Sequence, residues 1–173
     1  MTETLPHGLS LQQELKQLRP FGSPEEEAGL NLARTAALLA EVMEGFLKSH
    51  GVSAPQYNVL RILRGAGEAG LGRNEIRGRL LSRMPDVTRL LSRLEEAGLV
   101  TRERSGGDRR YVPTRLTPAG LDLVNRLDDP VQQGQQRQFA GFSPGELASL
   151  SAMLTRVRGN VRASLEQFQT GEP

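Results

Sequence analysis

One stretch near the middle of the chain leaves few choices of fold. From Leu80 to Leu116 it reads LLSRMPDVTRLLSRLEEAGLVTRERSGGDRRYVPTRL. Val87, Leu90, Leu91 and Leu94 recur at spacings of three and four, so a helix opened by Pro85 puts all four on one inward face. Gly98 is placed to end that helix in a left-handed turn. Leu99–Arg104 and Tyr111–Leu116 then alternate like strands around Ser105-Gly106-Gly107-Asp108, which predicts a hairpin. Pro113 should confine the second strand to an edge. Helix, stop, strand, glycine loop and strand form the unit to which the rest of the chain must be fitted.

Capping signatures place the other elements. Ser10 with Gln13 opens a short helix carrying Leu11, Leu15 and Leu18, closed by Arg19-Pro20. Ser23-Pro24-Glu25-Glu26 opens a long one, with Glu26 reaching back to the cap. Leu32, Ala36, Leu39, Met43, Phe46 and Leu47 recur at helical spacing as far as Lys48, and Leu30, Ala33, Ala37, Leu38 and Val42 widen the stripe beyond what one neighbour covers. After Gly51, Ser53-Ala54-Pro55-Gln56 opens a helix with Tyr57, Val59, Leu60, Ile62 and Leu63, broken by the glycines of residues 65–70. Leu71 reads as a one-residue strand, and Arg73–Leu80 as a short helix with Ile76 and Leu80 inward. Thr117-Pro118 caps a helix bearing Leu121, Val124 and Leu127, which Pro130 should kink or interrupt; the glutamine-rich residues 132–138 are weakly patterned. Ser143-Pro144-Gly145-Glu146 opens the last helix, whose Leu147, Leu150, Leu154, Val157, Val161, Leu165 and Phe168 have the near-heptad spacing of a helix–helix seam, weakened at Gly159.

The predicted fold is mainly α with a small β-hairpin. Residues 1–22 form an N-terminal extension, 53–117 a helix-turn-helix lobe with its hairpin, and 23–52 with 118–173 a pair of helical flanks. Those flanks carry more apolar stripe than a small lobe covers. A homodimer with first and last helices interleaved buries it economically; a monomeric bundle is the alternative.

Charge bears on function. Between Ser53 and Thr117 stand 13 Arg, no Lys and 7 acidic residues, a net +6, against −4 in the remainder and +2 for the whole chain. A basic middle between acidic ends is an electrostatic footprint for phosphate, though a solvated charged face has the same composition. Position favours the former. With the leucines inward, Pro85, Asp86, Thr88, Arg89, Ser92 and Arg93 face out on the second helix of the pair. Arg89 and Arg93 can reach guanine edges or phosphates, Thr88 can donate to phosphate, and Asp86 can accept from a cytosine amino group or orient an arginine. In the loop, Asp108 can hold Arg109 or Arg110 while the other enters a narrow minor groove; a solvated turn with an internal ion pair is the alternative.

Other classes fall away. The chain has no Cys and only His7 and His50, which removes disulfides, thiolate chemistry and a histidine metal cluster. It shows no Ser–His–acid set and no glycine-rich phosphate loop, so neither an enzyme nor a cofactor is expected. No apolar run approaches the roughly 18 residues of a membrane span, and MTETLPHGLS lacks the features of a secretion signal, so a cytoplasmic protein without a membrane partner is expected. A helix-turn-helix module that binds protein instead of DNA remains the second reading.

Ser53-Ala54-Pro55-Gln56-Tyr57-Asn58-Val59-Leu60, Asp86-Val87-Thr88-Arg89-Leu90-Leu91-Ser92-Arg93-Leu94-Glu95, Gly98-Leu99-Val100, Asp108-Arg109-Arg110 and Leu116-Thr117-Pro118-Ala119-Gly120 together resemble the MarR family of winged-helix transcriptional regulators, over about residues 30–165. The resemblance implies a triangular homodimer on a pseudo-palindromic DNA operator, usually a repressor and often released by a small aromatic or phenolic ligand. The family's recognition-helix contacts fall on Arg83, Asp86, Thr88, Arg89 and Arg93, and its wing contacts on Asp108, Arg109 and Arg110. Arg77 stands where the family commonly has Ala: either that helix is shifted, or Arg77 is exposed and adds a phosphate contact. The effector crevice of the family would fall near Phe46, His50, Tyr57 and Leu60, although an aromatic at a helix junction is more often plain core.

Overall fold

Helix caps decide where most of the elements begin, and a computed structural model describes residues 8–82, 85–102 and 112–170 of the chain. In α1 (Leu11–Glu14), Ser10 and Gln13 bond each other's backbone N–H. The expected run to Leu18 is cut to one turn because Lys16 takes a left-handed φ of 52°, which leaves Leu18 fully exposed. Ser23 caps α2 (Pro24–Lys48) through the Glu26 N–H, while the Glu26 carboxylate accepts from Gly22 N–H at 2.6 Å. A complete capping box at Ser53 and Gln56 opens α3 (Ala54–Ala66), and the Glu44 carboxylate of α2 accepts from Ala54 N–H at 2.8 Å, tying the two helices end to end.

A 3-10 turn (Gly67–Ala69) leads to α4 (Arg73–Arg79) and then α5 (Val87–Glu96). Strands β1 (Val100–Arg102) and β2 (Thr114–Leu116) pair antiparallel in the register Val100↔Leu116, Thr101↔Arg115, Arg102↔Thr114. Leu71 supplies the expected one-residue strand, exchanging both backbone bonds with Thr114 at 3.1 and 2.8 Å. At Thr114, β2 therefore has a partner on each side and is not the edge that Pro113 was expected to make it. Pro113 lies one residue ahead of the ladder, so its missing N–H removes no ladder bond.

Thr117 caps α6 (Pro118–Gln138) by accepting from Gly120 N–H, and donates to the Gly98 carbonyl at 2.7 Å. Of the kink or interruption expected at Pro130, the interruption does not occur: α6 continues through Pro130 and the glutamines. A proline deletes one i→i−4 bond, and the bonds of adjoining turns carry the helix past it. Ser143 and Glu146 form the capping box of α7 (Pro144–Thr170), which also passes through Gly159.

The chain divides into two compact units, residues 1–124 and 125–173. In the first, α3 is central, packed on α2, α4, α5 and β2. Leu47, Val59, Leu60, Leu63, Ile76, Leu91 and Leu94 lie fully buried there, each contributing about 1.5–3 kcal/mol of burial. In the second, Leu127 and Val131 are buried, while Val157, Val161, Leu165 and Phe168 of α7 stay exposed. Leu32, Leu38 and Val42 of α2 are exposed as well. Among the described residues no helix is long and apolar enough to cross a membrane.

Candidate nucleic-acid interface

The position of α5 is set from below and from its N-terminus. Val87, Leu90, Leu91 and Leu94 are all buried, as their spacing predicts. Asn58 of α3 accepts from Leu81 N–H at 3.0 Å and so ties the chain just past α4 to α3. The helix begins at Val87, not at Pro85, because the Asp86 carboxylate caps it, accepting from Arg89 N–H at 2.8 Å. Of the roles open to Asp86, the structure shows it bonded to backbone.

At 100° per residue, the outer surface of α5 divides into two stripes. Thr88, Ser92 and Glu95 make one, and each is held by an arginine from a neighbouring element. Arg73, the first residue of α4, donates from Nη1 to Thr88 Oγ1 at 3.3 Å. From the end of β1, Arg102 donates Nε to Glu95 Oε2 at 2.8 Å, while its Nη2 donates to the same carboxylate oxygen and to Ser92 Oγ at 3.2 Å. The Arg102 side chain is 27% exposed and that of Glu95 38%. Hydrogen bonding from the Arg102 guanidinium holds the Glu95 carboxyl below its ordinary range, against a smaller opposing effect of burial. Arg89 and Arg93 make the second stripe; both are exposed, and their guanidinium groups have no partner among the described residues.

Arg77 is exposed on α4 beside the fully buried Ile76, so the helix keeps its apolar face inward with the arginine outside. Arg83, Asp108, Arg109 and Arg110 lie outside the described residues. Phe46 and His50 come together at the end of α2, with ring centroids 4.5 Å apart. His50 is exposed, its Nδ1 within 2.9 Å of the Phe46 carbonyl and 3.1 Å of Ser49 Oγ. Tyr57 is buried with the Arg61 guanidinium 5.9 Å from its ring centre, and Leu60 is fully buried in the core with no surface of its own. A cleft of about 670 Å³ opens between α4, α5 and the two strands, lined in part by Arg73, Thr88, Glu95, Arg102 and Thr114. A second, of about 410 Å³, is lined by Asn58, Arg61, Ile62, Arg64, Gly65 and Leu81. Neither is lined by Phe46, His50, Tyr57 or Leu60.

Sequence reasoning missed Asn58, Arg73, Glu95 and Arg102. The polar i, i+4, i+7 stripe of Thr88, Ser92 and Glu95 was legible; the arginines that meet it come from elements whose approach only the fold sets.

Residues 50–110 match the model of the MarR family. The chain is 30% identical over 130 residues to the HTH-type transcriptional repressor IacR of Pseudomonas putida, covering 75% of this chain and 77% of that protein. Among solved structures, the MarR transcription factor of Planctomyces limnophilus is 38% identical with a TM-score of 0.61, over 79% of this chain and 98% of that one. The fold is shared, at 24% identity and a TM-score of 0.70, with Bordetella bronchiseptica BpsR, whose DNA binding is regulated by 6-hydroxynicotinic acid; that match covers 81% of this chain and 98% of the other. A basic helix-turn-helix on a β-hairpin, together with this kinship, places the chain in the MarR family: it is a transcriptional regulator, not an enzyme.

Proposed function

We propose that the protein is a homodimeric repressor that binds a pseudo-palindromic operator in double-stranded DNA and is released by a small aromatic or phenolic ligand. One observation carries the DNA reading: the outer surface of α5 keeps Arg89 and Arg93 exposed and without a partner among the described residues while its neighbouring stripe is tied down. An exposed guanidinium on a helix whose other faces are fixed suits bidentate contact with guanine or phosphate. Arg83 adds a recognition-helix contact and Arg77 a phosphate contact, Thr88 donates to phosphate, and Asp108 holds Arg109 or Arg110 while the other enters a narrow minor groove.

Residues 53–117 are the reading lobe, and residues 23–52 and 118–173 dimerise through the apolar stripes of α2 and α7. Val161 and Phe168 are 52% and 84% exposed, which a lone chain would leave in water at a cost that a second copy removes. The repressor role follows the relative from Pseudomonas putida. Phe46 and His50 are the residues through which a ligand acts, the imidazole meeting its carboxylate or phenolate.

Genome-wide selection of bound fragments by the purified protein tests the proposal. Recovery of a two-fold symmetric site, with affinity falling roughly 10³–10⁵-fold between about 50 and 200 mM salt, is the expected result. No enrichment, or a flat salt dependence, refutes it and favours a protein partner. A monomer in sedimentation equilibrium refutes the dimer, and fragments that stay bound across a panel of phenols and aromatic acids refute ligand release.

A further inference from the structure

The N-terminus of α3 is joined to α2 by more than the turn between them. A helix leaves its first four N–H groups without an internal partner. At α3 the Ser53 N–H donates to Gln56 Oε1 and the Gln56 N–H to Ser53 Oγ, while Pro55 has no N–H. The one that remains, on Ala54, donates to the Glu44 carboxylate of α2 at 2.8 Å. Water could serve that donor at a half-buried helix end. A carboxylate reaching across from the preceding helix adds a link between two elements, with its charge at the favourable end of the α3 dipole.

Glu44 and Leu47 lie three residues apart on one side of α2, and Leu47 is fully buried in the core around α3. Val52, at the far end of the turn, is buried too, and its N–H donates to the Leu47 carbonyl at 3.2 Å. Leu47 and Val52 pin one point of the junction, about which a helix can still pivot. Glu44 adds a second point about 4.5 Å along the axis, and two points set an angle. On the opposite side of the same turns stand Leu38 and Val42, 42% and 58% exposed and part of the apolar stripe. The end of α2 therefore holds the lobe on one side and presents the stripe on the other.

We infer that Glu44 is a positioning residue for operator binding: its bond to Ala54 fixes the angle between α2 and α3, and with it the spacing at which two copies of α5 meet DNA. The inference rests on the reading of the protein as a homodimer through that stripe. Because α5 packs directly on α3, it follows any tilt of that helix. In a two-fold dimer both lobes tilt together, so the separation of the two α5 helices changes twice over. Half-sites on the duplex recur at one helical turn, about 34–36 Å, which makes that separation a condition for binding both at once. Glu44 acts through the lobe and does not touch DNA.

The experiment measures affinity of the full-length protein for a two-fold duplex recovered in the fragment selection. Companion duplexes have one base pair added or removed between the half-sites, or one half-site scrambled. Glu44→Ala should bind the recovered duplex about fivefold more weakly, the equivalent of one hydrogen bond. Its preference for the native spacing should fall by the same factor, with half-site affinity and sedimentation unchanged. Glu44→Gln, which keeps an acceptor oxygen, should stay close to wild type. Ala54→Pro removes the donor instead, at a first helical position that suits proline and after a Ser53 already extended at ψ 162°. It should reproduce Glu44→Ala, the double variant should be no worse than either, and it decides the matter should Glu44→Ala fail to fold. An undiminished spacing preference overturns the inference and leaves the homodimer standing, as does a dimeric wild type indifferent to spacing. An equal loss on every duplex, the half-site included, also overturns it, since Glu44 would then act on the stability of the lobe. A monomeric wild type refutes the homodimer reading and takes the inference with it.

Discussion

Replacing Asp86 separates two roles that a carboxylate at this position can have. In the structure its Oδ1 accepts the Arg89 N–H at 2.8 Å and caps α5. Asp86→Ala leaves that N–H to water at an exposed helix end, and loss of such a cap costs about 1 kcal/mol. For a chain of this length the melting temperature should fall by roughly 2–4 °C. The bonded group belongs to Arg89, so fraying of the first turn also displaces one of the two exposed arginines on the outer face of α5. If binding must restore that turn, the same 1 kcal/mol appears as about a fivefold loss of affinity. Asp86→Asn keeps an acceptor of equal capping strength and removes a charge facing phosphate. It should melt with wild type and bind DNA at least as tightly. Circular dichroism melts and fluorescence anisotropy on a selected duplex measure both quantities. Were Asp86→Asn to keep its melting temperature yet lose discrimination at a single base pair, the carboxylate would be reading a base and the capping argument would be wrong.

Other perturbations have equally definite outcomes. Arg89→Ala should cost about 1–3 kcal/mol at particular base pairs and relax specificity there, whereas a uniform loss across sequences in a binding-site selection would make Arg89 a phosphate contact only. A Cβ at Gly120 would lie 2.0 Å from the Leu99 carbonyl oxygen, where neighbouring backbone cannot give way; Gly120→Ala should lose about 1–3 kcal/mol or more in denaturant unfolding, and an unchanged midpoint would refute the close approach of α6 to β1's entry. Because the folded pKa of Glu95 is lowered, its ion pair contributes stability at neutral pH that is lost as pH falls through and below the ordinary carboxylate range. Acid unfolding of wild type should therefore be steeper there than that of Glu95→Gln, and parallel curves would show that the pair adds nothing to stability.

Much of this protein was fixed by local chemistry. Ser10, Ser23, Ser53, Thr117 and Ser143 each cap the helix that follows, because a hydroxyl beside the first N–H groups satisfies donors the helix cannot. The inward face of α5 was readable for the same kind of reason, since helical periodicity acts over a few residues; the extended residue at Leu71 was readable too, but its partner Thr114, far along the chain, was not. Where the reading failed, a local rule met a neighbour. Pro130 does not break α6, Pro113 stands outside the ladder, and α1 ends early at Lys16.

The reading surface needed the tertiary fold. Sequence marked Thr88, Arg89, Ser92 and Arg93 alike as outward polar residues of one helix. Only the approach of α4 and β1 distinguishes them, bringing Arg73 onto Thr88 and Arg102 onto Ser92 and Glu95. Those partners lie 7 to 15 residues away along the chain on other elements, and a helix's periodicity carries no information about which of its outer stripes a neighbour will cover.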